Sequence, residues 1–244
     1  MKRRHRRAGH ALLGLTAAVG LLGAAFLLYV EDHYTAEAAA LEALKGTEAV
    51  AVTETEEGFL FDGPGTGTAL IFYPGAKVDS AAYAPLMAEL AGEGVDCFLM
   101  EPPFRLAFFG VDRAKDVMEQ YTYDRWYIGG HSLGGAMAAS YAADHPEGLD
   151  GLVLLAAYPT APLKEENFSA LTVWGSEDGV LSRDKLEAGM SFLPSYHTAL
   201  EIAGGNHAWF GAYGEQTGDG AASISREEQW AQTVSAVIAL TEKT

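Results

Sequence analysis

Apolar and polar positions along this chain follow two different periods. Short, largely apolar runs at 69–73, 96–101, 126–128, 152–157, 171–174 and 199–202 read as strands buried on both faces of a parallel sheet. Alternating residues at 50–55 and 58–62 predict a hairpin at the sheet edge. Helical patterns fall between these runs: 80–91, with Ser80 as its cap, then 111–121, 133–141 and 225–240. An Ala- and Glu-rich segment at 34–45 ends at Gly46 and has helical propensity of its own. Strands alternating with helices predict an α/β domain with a mostly parallel central sheet flanked by helices. The interval between the strands at 152–157 and 171–174 is too short to fold a lid, so the top of the sheet is expected to be open.

One stretch breaks both periods. Residues 11–30 carry no charge, and at the helical rise that length crosses a hydrocarbon core. Lys2, Arg3, Arg4, Arg6 and Arg7 precede it and acidic residues follow. This predicts an N-terminal transmembrane helix with its amino end in the cytoplasm and everything after it outside. The competing reading is a cleavable signal peptide, with small residues at 35–38 for a peptidase and a secreted product. The expected organisation is a basic tip and anchor over 1–30, a stalk over 31–48 and the α/β domain over 49–244.

Charge sharpens the picture of the body. The formal net charge of −17 hides a split: from Glu31 onward 11 basic residues stand against 33 acidic ones, a net −22. Such a body does not favour nucleic acid or an anionic membrane surface as a partner. Cys97 is the only cysteine, and no zinc-spaced set of His and Cys occurs, so neither a disulfide nor a metal or other cofactor is expected. The Gly-rich turn at 63–67 lacks the G-K-[ST] and the following helix of a phosphate-binding loop.

The chemistry concentrates at Gly130-His131-Ser132-Leu133-Gly134, a G-x-S-x-G between a strand and a helix. A serine on so sharp a turn has a strained backbone, and glycines two positions either side let the chain pass close by. Ser132 is then exposed at the top of the sheet as a nucleophile, with the Leu133 N–H aimed where a carbonyl oxygen would turn negative. The bland alternative is a Gly-rich helix start without chemistry.

Residues 129–135, GGHSLGG, resemble the nucleophile elbow of the α/β-hydrolase superfamily. The span from about 50 to 240 is similar to its small, nearly capless esterase and dienelactone-hydrolase-like members; dienelactone hydrolases carry cysteine where this chain has Ser132. The resemblance implies a second oxyanion donor in the loop after the strand at 69–73. Tyr73-Pro74-Gly75-Ala76 stands there, with the Ala76 N–H as donor and Lys77 as the alternative. It also implies the order Ser, Asp, His. Asp178, in the loop after the strand at 171–174, is the candidate acid, Glu177 its near rival and Asp184 and Asp219 weaker ones. His207, on the loop after the strand at 199–202, is the candidate general base. His131 adjoins Ser132, but neighbours on a tight turn point apart. The aromatics of 102–109 either line a substrate pocket or pack under their loop. The function implied is a membrane-anchored, extracytoplasmic serine hydrolase cleaving small ester-type substrates through an acyl-enzyme. Acyl transfer to an acceptor other than water, and a catalytically silent binding module on the same fold, are the alternatives.

Overall fold

The structure, a computed structural model, describes residues 18–65, 67–163 and 167–242. It divides into two compact units at His33 and Tyr34. In the first, residues 18–31 form helix α1, with Val19, Leu21, Leu22, Leu27 and Leu28 exposed. The first part of the expected span, 11–17, lies outside the described residues, and among those described no helix is long and apolar enough to cross a membrane.

The second unit is built on an eight-stranded sheet. Its strands are β1 (Ala51–Thr55), β2 (Gly58–Asp62), β3 (Thr68–Tyr73), β4 (Asp96–Met100), β5 (Arg125–His131), β6 (Gly151–Leu155), β7 (Ser169–Gly175) and β8 (His197–Ile202). Their order in the sheet is β1-β2-β4-β3-β5-β6-β7-β8. The β1–β2 hairpin is antiparallel and β2 pairs antiparallel with β4; every later pairing is parallel. All six parallel strands therefore deliver their carboxyl ends, and the loops that follow, to one rim.

Helices α2 (Ala38–Ala43), α3 (Ala84–Gly92) and α7 (Arg226–Thr241) share one apolar core with a face of the sheet; α4 (Arg113–Gln120) and α5 (Leu133–Asp144) share another with the opposite face. Strand alternation supplies both cores: Leu70 and Phe72 of β3 enter the first, Ala69, Ile71 and Tyr73 the second. All five are buried, and each large side chain of this kind contributes about 2 kcal/mol. Helix α7 shows how the sequence does this. Ser225 Oγ accepts the Glu228 N–H at 3.1 Å, Glu227 and Glu228 lie in the first turn where the helix dipole favours acid, and Trp230, Val234 and Val237 recur on the buried face.

Three details differ from or extend the expectation. The segment expected as a stalk with helical propensity includes α2 and packs on the sheet: Tyr34 pairs with Val78 in a parallel bridge, and the buried Ala40 of α2 belongs to the first core. Ser80 does not cap a helix, because Ser80–Tyr83 is a 3-10 turn and α3 begins only at Ala84, with Pro85 in its first turn. Helix α6 (Arg183–Met190) follows β7, where the polar sequence gave little apolar periodicity. Between β6 and β7, the described part of 156–168 holds no helix.

Candidate active site

Ser132 occupies the turn between β5 and α5 with φ 53° and ψ −120°, a conformation that costs about 1–3 kcal/mol in a non-glycine residue. Neighbouring backbone holds it there. Its N–H donates to Leu155 O of β6 at 2.9 Å. A β-carbon at position 130 would come within 2.6 Å of Tyr73 O, and one at 134 would strike the Tyr73 and Pro74 carbonyls. Only glycine at both places lets the elbow nest against the end of β3.

Leu133 is the first residue of α5, so its N–H has no partner one turn back. The loop after β3 offers three further N–H groups in succession. Gly75 donates to Tyr83 Oη at 3.1 Å and Lys77 to Arg105 O at 2.9 Å, while the Ala76 N–H has no acceptor among the described residues. Of the two donors the sequence left open in this loop, Ala76 is the one still available to a substrate oxygen.

The loops after β7 and β8 bring the candidate acid and base together. His207 Nδ1 lies 2.9 Å from Asp178 Oδ2, with both side chains almost wholly buried. The other carboxylate oxygen of Asp178 accepts the Val180 and Leu181 N–H groups at 2.9 and 2.7 Å. A carboxylate so engaged is an acceptor only, so the histidine proton sits on Nδ1 and the bare Nε2 lone pair is left over. That Nε2 is buried and has no hydrogen-bond partner among the described residues. Ser132 and His207 line the same cleft of about 350 Å³, whose walls include Leu133, Ala157, Tyr158 and Leu181. Glu177 instead takes the Ser176 hydroxyl, and Asp184 lies in the first turn of α6.

Two larger grooves, of about 710 and 730 Å³, flank α7 and contain neither Ser132 nor His207. Among the described residues no group of His, Cys, Asp and Glu is arranged to hold a metal ion.

The profile of the Alpha/beta hydrolase family matches residues 69–231, two-thirds of the chain and every element from β3 into α7. The chain belongs to the alpha/beta hydrolase family. Among solved structures it is similar to a predicted CIB-like hydrolase from Thermoplasma acidophilum, with 17% identity and a TM-score of 0.60 over 79% of this chain and 100% of the other. A bacterial membrane phospholipase A gives 15% identity and 0.55 over 85% and 92%; Est1E from Butyrivibrio proteoclasticus gives 12% and 0.55 over 80% and 100%. At such identities the likeness is one of fold. No curated protein matches the sequence.

This alpha/beta hydrolase secures His207 with residues that local sequence did not single out. Asp219, a weak rival for the acid by sequence, accepts four backbone N–H groups instead: Gly179 at 3.1 Å, His207 at 3.2 Å, Ala208 at 2.8 Å and its neighbour Gly220 at 2.9 Å. It ties the acid's loop to the histidine's. Behind them Asn206 and the fully buried Gln229 of α7 exchange two hydrogen bonds, Asn206 N to Gln229 Oε1 at 3.0 Å and Gln229 Nε2 to Asn206 O at 2.9 Å.

His131 also has a place in the alpha/beta hydrolase site. Its ring is buried against that of His207, centroids 4.5 Å apart, and its Nδ1 is 2.7 Å from Tyr83 Oη. The Tyr83 oxygen also accepts the Gly75 N–H, and one proton is shared between Tyr83 Oη and His131 Nδ1. Burial first, and the nearby His207 second, hold the His131 imidazole well below its ordinary 6.5, so it stays neutral in the fold. The unfolded chain binds that proton below about pH 6.5, so this stabilising contribution is complete above that pH and is lost as pH falls. His131→Asn keeps an acceptor for Tyr83 and removes the titration. Urea unfolding from pH 7 to 5 is expected to show a stability loss shallower than wild type by up to about 1.4 kcal/mol per pH unit. Identical slopes would mean that His131 takes up its proton without unfolding.

Proposed function

We propose that this chain is a serine hydrolase of small ester-type substrates. Ser132 attacks the carbonyl, His207 Nε2 takes its proton and later returns it to the leaving alcohol, and Asp178 fixes the tautomer and stabilises the imidazolium. The Leu133 and Ala76 N–H groups receive the oxyanion, and water activated by the same histidine releases the acyl group. The observation that supports this reading is a histidine bonded to a carboxylate at Nδ1, with a buried Nε2 that has no partner among the described residues, lining the same cleft as Ser132. At about 350 Å³ that cleft is at the small end of ligand sites and suits short acyl or alcohol portions. We place residues 11–30 in a membrane, with the hydrolase unit outside the cytoplasm, on the charge asymmetry around them.

The test is an activity-based one. A fluorophosphonate probe is expected to label the full chain at a single serine, and tryptic mapping to find it on the peptide holding Ser132. Absence of labelling in folded protein would favour a silent binding module.

A further inference from the structure

The cleft does not end at Ser132 and His207. Tyr158, Thr160 and Lys185 also line it, and the same three residues line a second hollow of about 300 Å³ that neither Ser132 nor His207 reaches. The two share a wall, so Lys185 stands where the reacting end of a substrate would pass into the remainder.

Helix α6 brings Lys185 there by its own packing. A β-carbon at Gly189 would come within 2.8 Å of Tyr158 Cβ and 3.2 Å of Pro159 O, so the missing side chain lets the helix close on the loop after β6. Lys185 is four residues earlier, and residues four apart share a helix face. The face that meets Tyr158 and Pro159 therefore carries Lys185 over the cleft. The cap made by Ser182 Oγ, which accepts the Lys185 N–H at 3.4 Å, starts the helix at the same wall.

The sign of the charge is the informative part. From Glu31 onward 33 acidic residues stand against 11 basic ones, yet among the described residues no carboxylate lines either hollow, and Lys185 is the one cation that does. Arg183 on the same helix is paired with Glu201 at 2.8 Å, whereas Lys185 has no ion pair and no side-chain hydrogen bond among the described residues. Asp184 adjoins it, but consecutive residues of a helix point apart. An ammonium is a compact point charge on a flexible stem, and one such charge matches one carboxylate.

We propose that the site takes esters that carry a free carboxylate, such as half-esters of dicarboxylic acids, and that Lys185 pairs with that carboxylate while Ser132 attacks the ester carbonyl. This rests on the ester hydrolysis proposed above and names its substrate class. The test uses the full chain and pairs of ethyl esters of equal acyl length: the monoethyl esters of succinic, glutaric and adipic acids against ethyl butyrate, pentanoate and hexanoate, with released ethanol assayed. Lys185 is exposed, so kcat/KM is expected to favour the half-ester about five-fold in at least one pair, the upper end for an exposed ion pair. Lys185→Gln removes the preference, Lys185→Glu inverts it and Lys185→Arg keeps it, while the rate on the neutral ester stays within about two-fold. Lys115→Gln, which removes an exposed charge from α4, leaves the preference intact and separates contact from overall charge. A neutral ester that does as well as its half-ester in every pair overturns the proposal, and so does a preference that survives Lys185→Gln.

A second arm reads binding without chemistry. Adipamic acid and hexanamide carry the same contrast on an unreactive amide and are titrated with the full chain by saturation-transfer NMR. Tighter binding of adipamic acid that Lys185→Gln abolishes, in protein that cleaves no ester, would sink the hydrolase reading and keep the carboxylate site. Cleavage of the esters with equal binding of the two amides would do the reverse.

Discussion

Ser132→Ala is expected to lower kcat for a short p-nitrophenyl ester by about a million-fold and to leave KM within a few-fold. The oxygen removed is the atom that would bond to the acyl carbon, so no acyl-enzyme can form and the double displacement has no first step. The Leu133 and Ala76 N–H groups of the proposed oxyanion site would still polarise the carbonyl, leaving a small residual rate over that in water. Folding should be unaffected, because the substitution leaves unchanged both the backbone at φ 53° and the N–H bond to Leu155 O that holds the elbow. Steady-state hydrolysis with circular dichroism on the same samples checks both statements. Retained turnover in a folded Ser132→Ala protein would remove the proposed mechanism.

Asp178→Asn is expected to cost about four orders of magnitude in kcat, for a different reason. Asp178 serves three donors, two backbone N–H groups on Oδ1 and the His207 ring on Oδ2. Asparagine has one acceptor oxygen. If it keeps Val180 and Leu181, its amide nitrogen faces His207 and drives the imidazole to the other tautomer, with its proton on Nε2 and no lone pair for the serine. The fold is expected to survive and the proposed general base to be lost. Raising pH does not restore the rate, since the defect is in which nitrogen holds the proton rather than in how many protons are bound. A kcat against pH profile from 6 to 10 measures this, and recovery at high pH would mean that Asp178 acts only by its charge.

Much of this arrangement was legible because α/β topology turns sequence order into position. A residue just after a parallel strand stands on the functional rim, so the places of Ser132 after β5, Asp178 after β7 and His207 after β8 followed from finding the strands. The glycines around Ser132 were legible because they answer a local steric demand. The supporting residues were not, since each acts across a distance that no local pattern encodes. Asp219 reads as a turn residue until 211–224 is folded back and four amides point at its carboxylate. Gln229 looks like an ordinary polar position on α7, yet it is fully buried and paired with Asn206. Tyr83 and His131 meet only because α3's leading turn comes down beside the elbow. The aromatics of 102–109 could be read as pocket lining or as packing under their loop, and neither reading anticipated the left-handed turn at Phe104 and Arg105 or the half-exposed rings of Phe104, Phe108 and Phe109.

The Asp219 carboxylate also decides where this protein tolerates a graft. By composition, 211–224 looks like slack, glycine-rich connector, the kind of place chosen for an epitope or a fluorescent insert. Its midpoint is a rivet through two other loops, so lengthening it would swing the imidazole away without touching any residue that does chemistry. The turn at Tyr196, on the far edge of the sheet and 80% exposed, is the place for cargo.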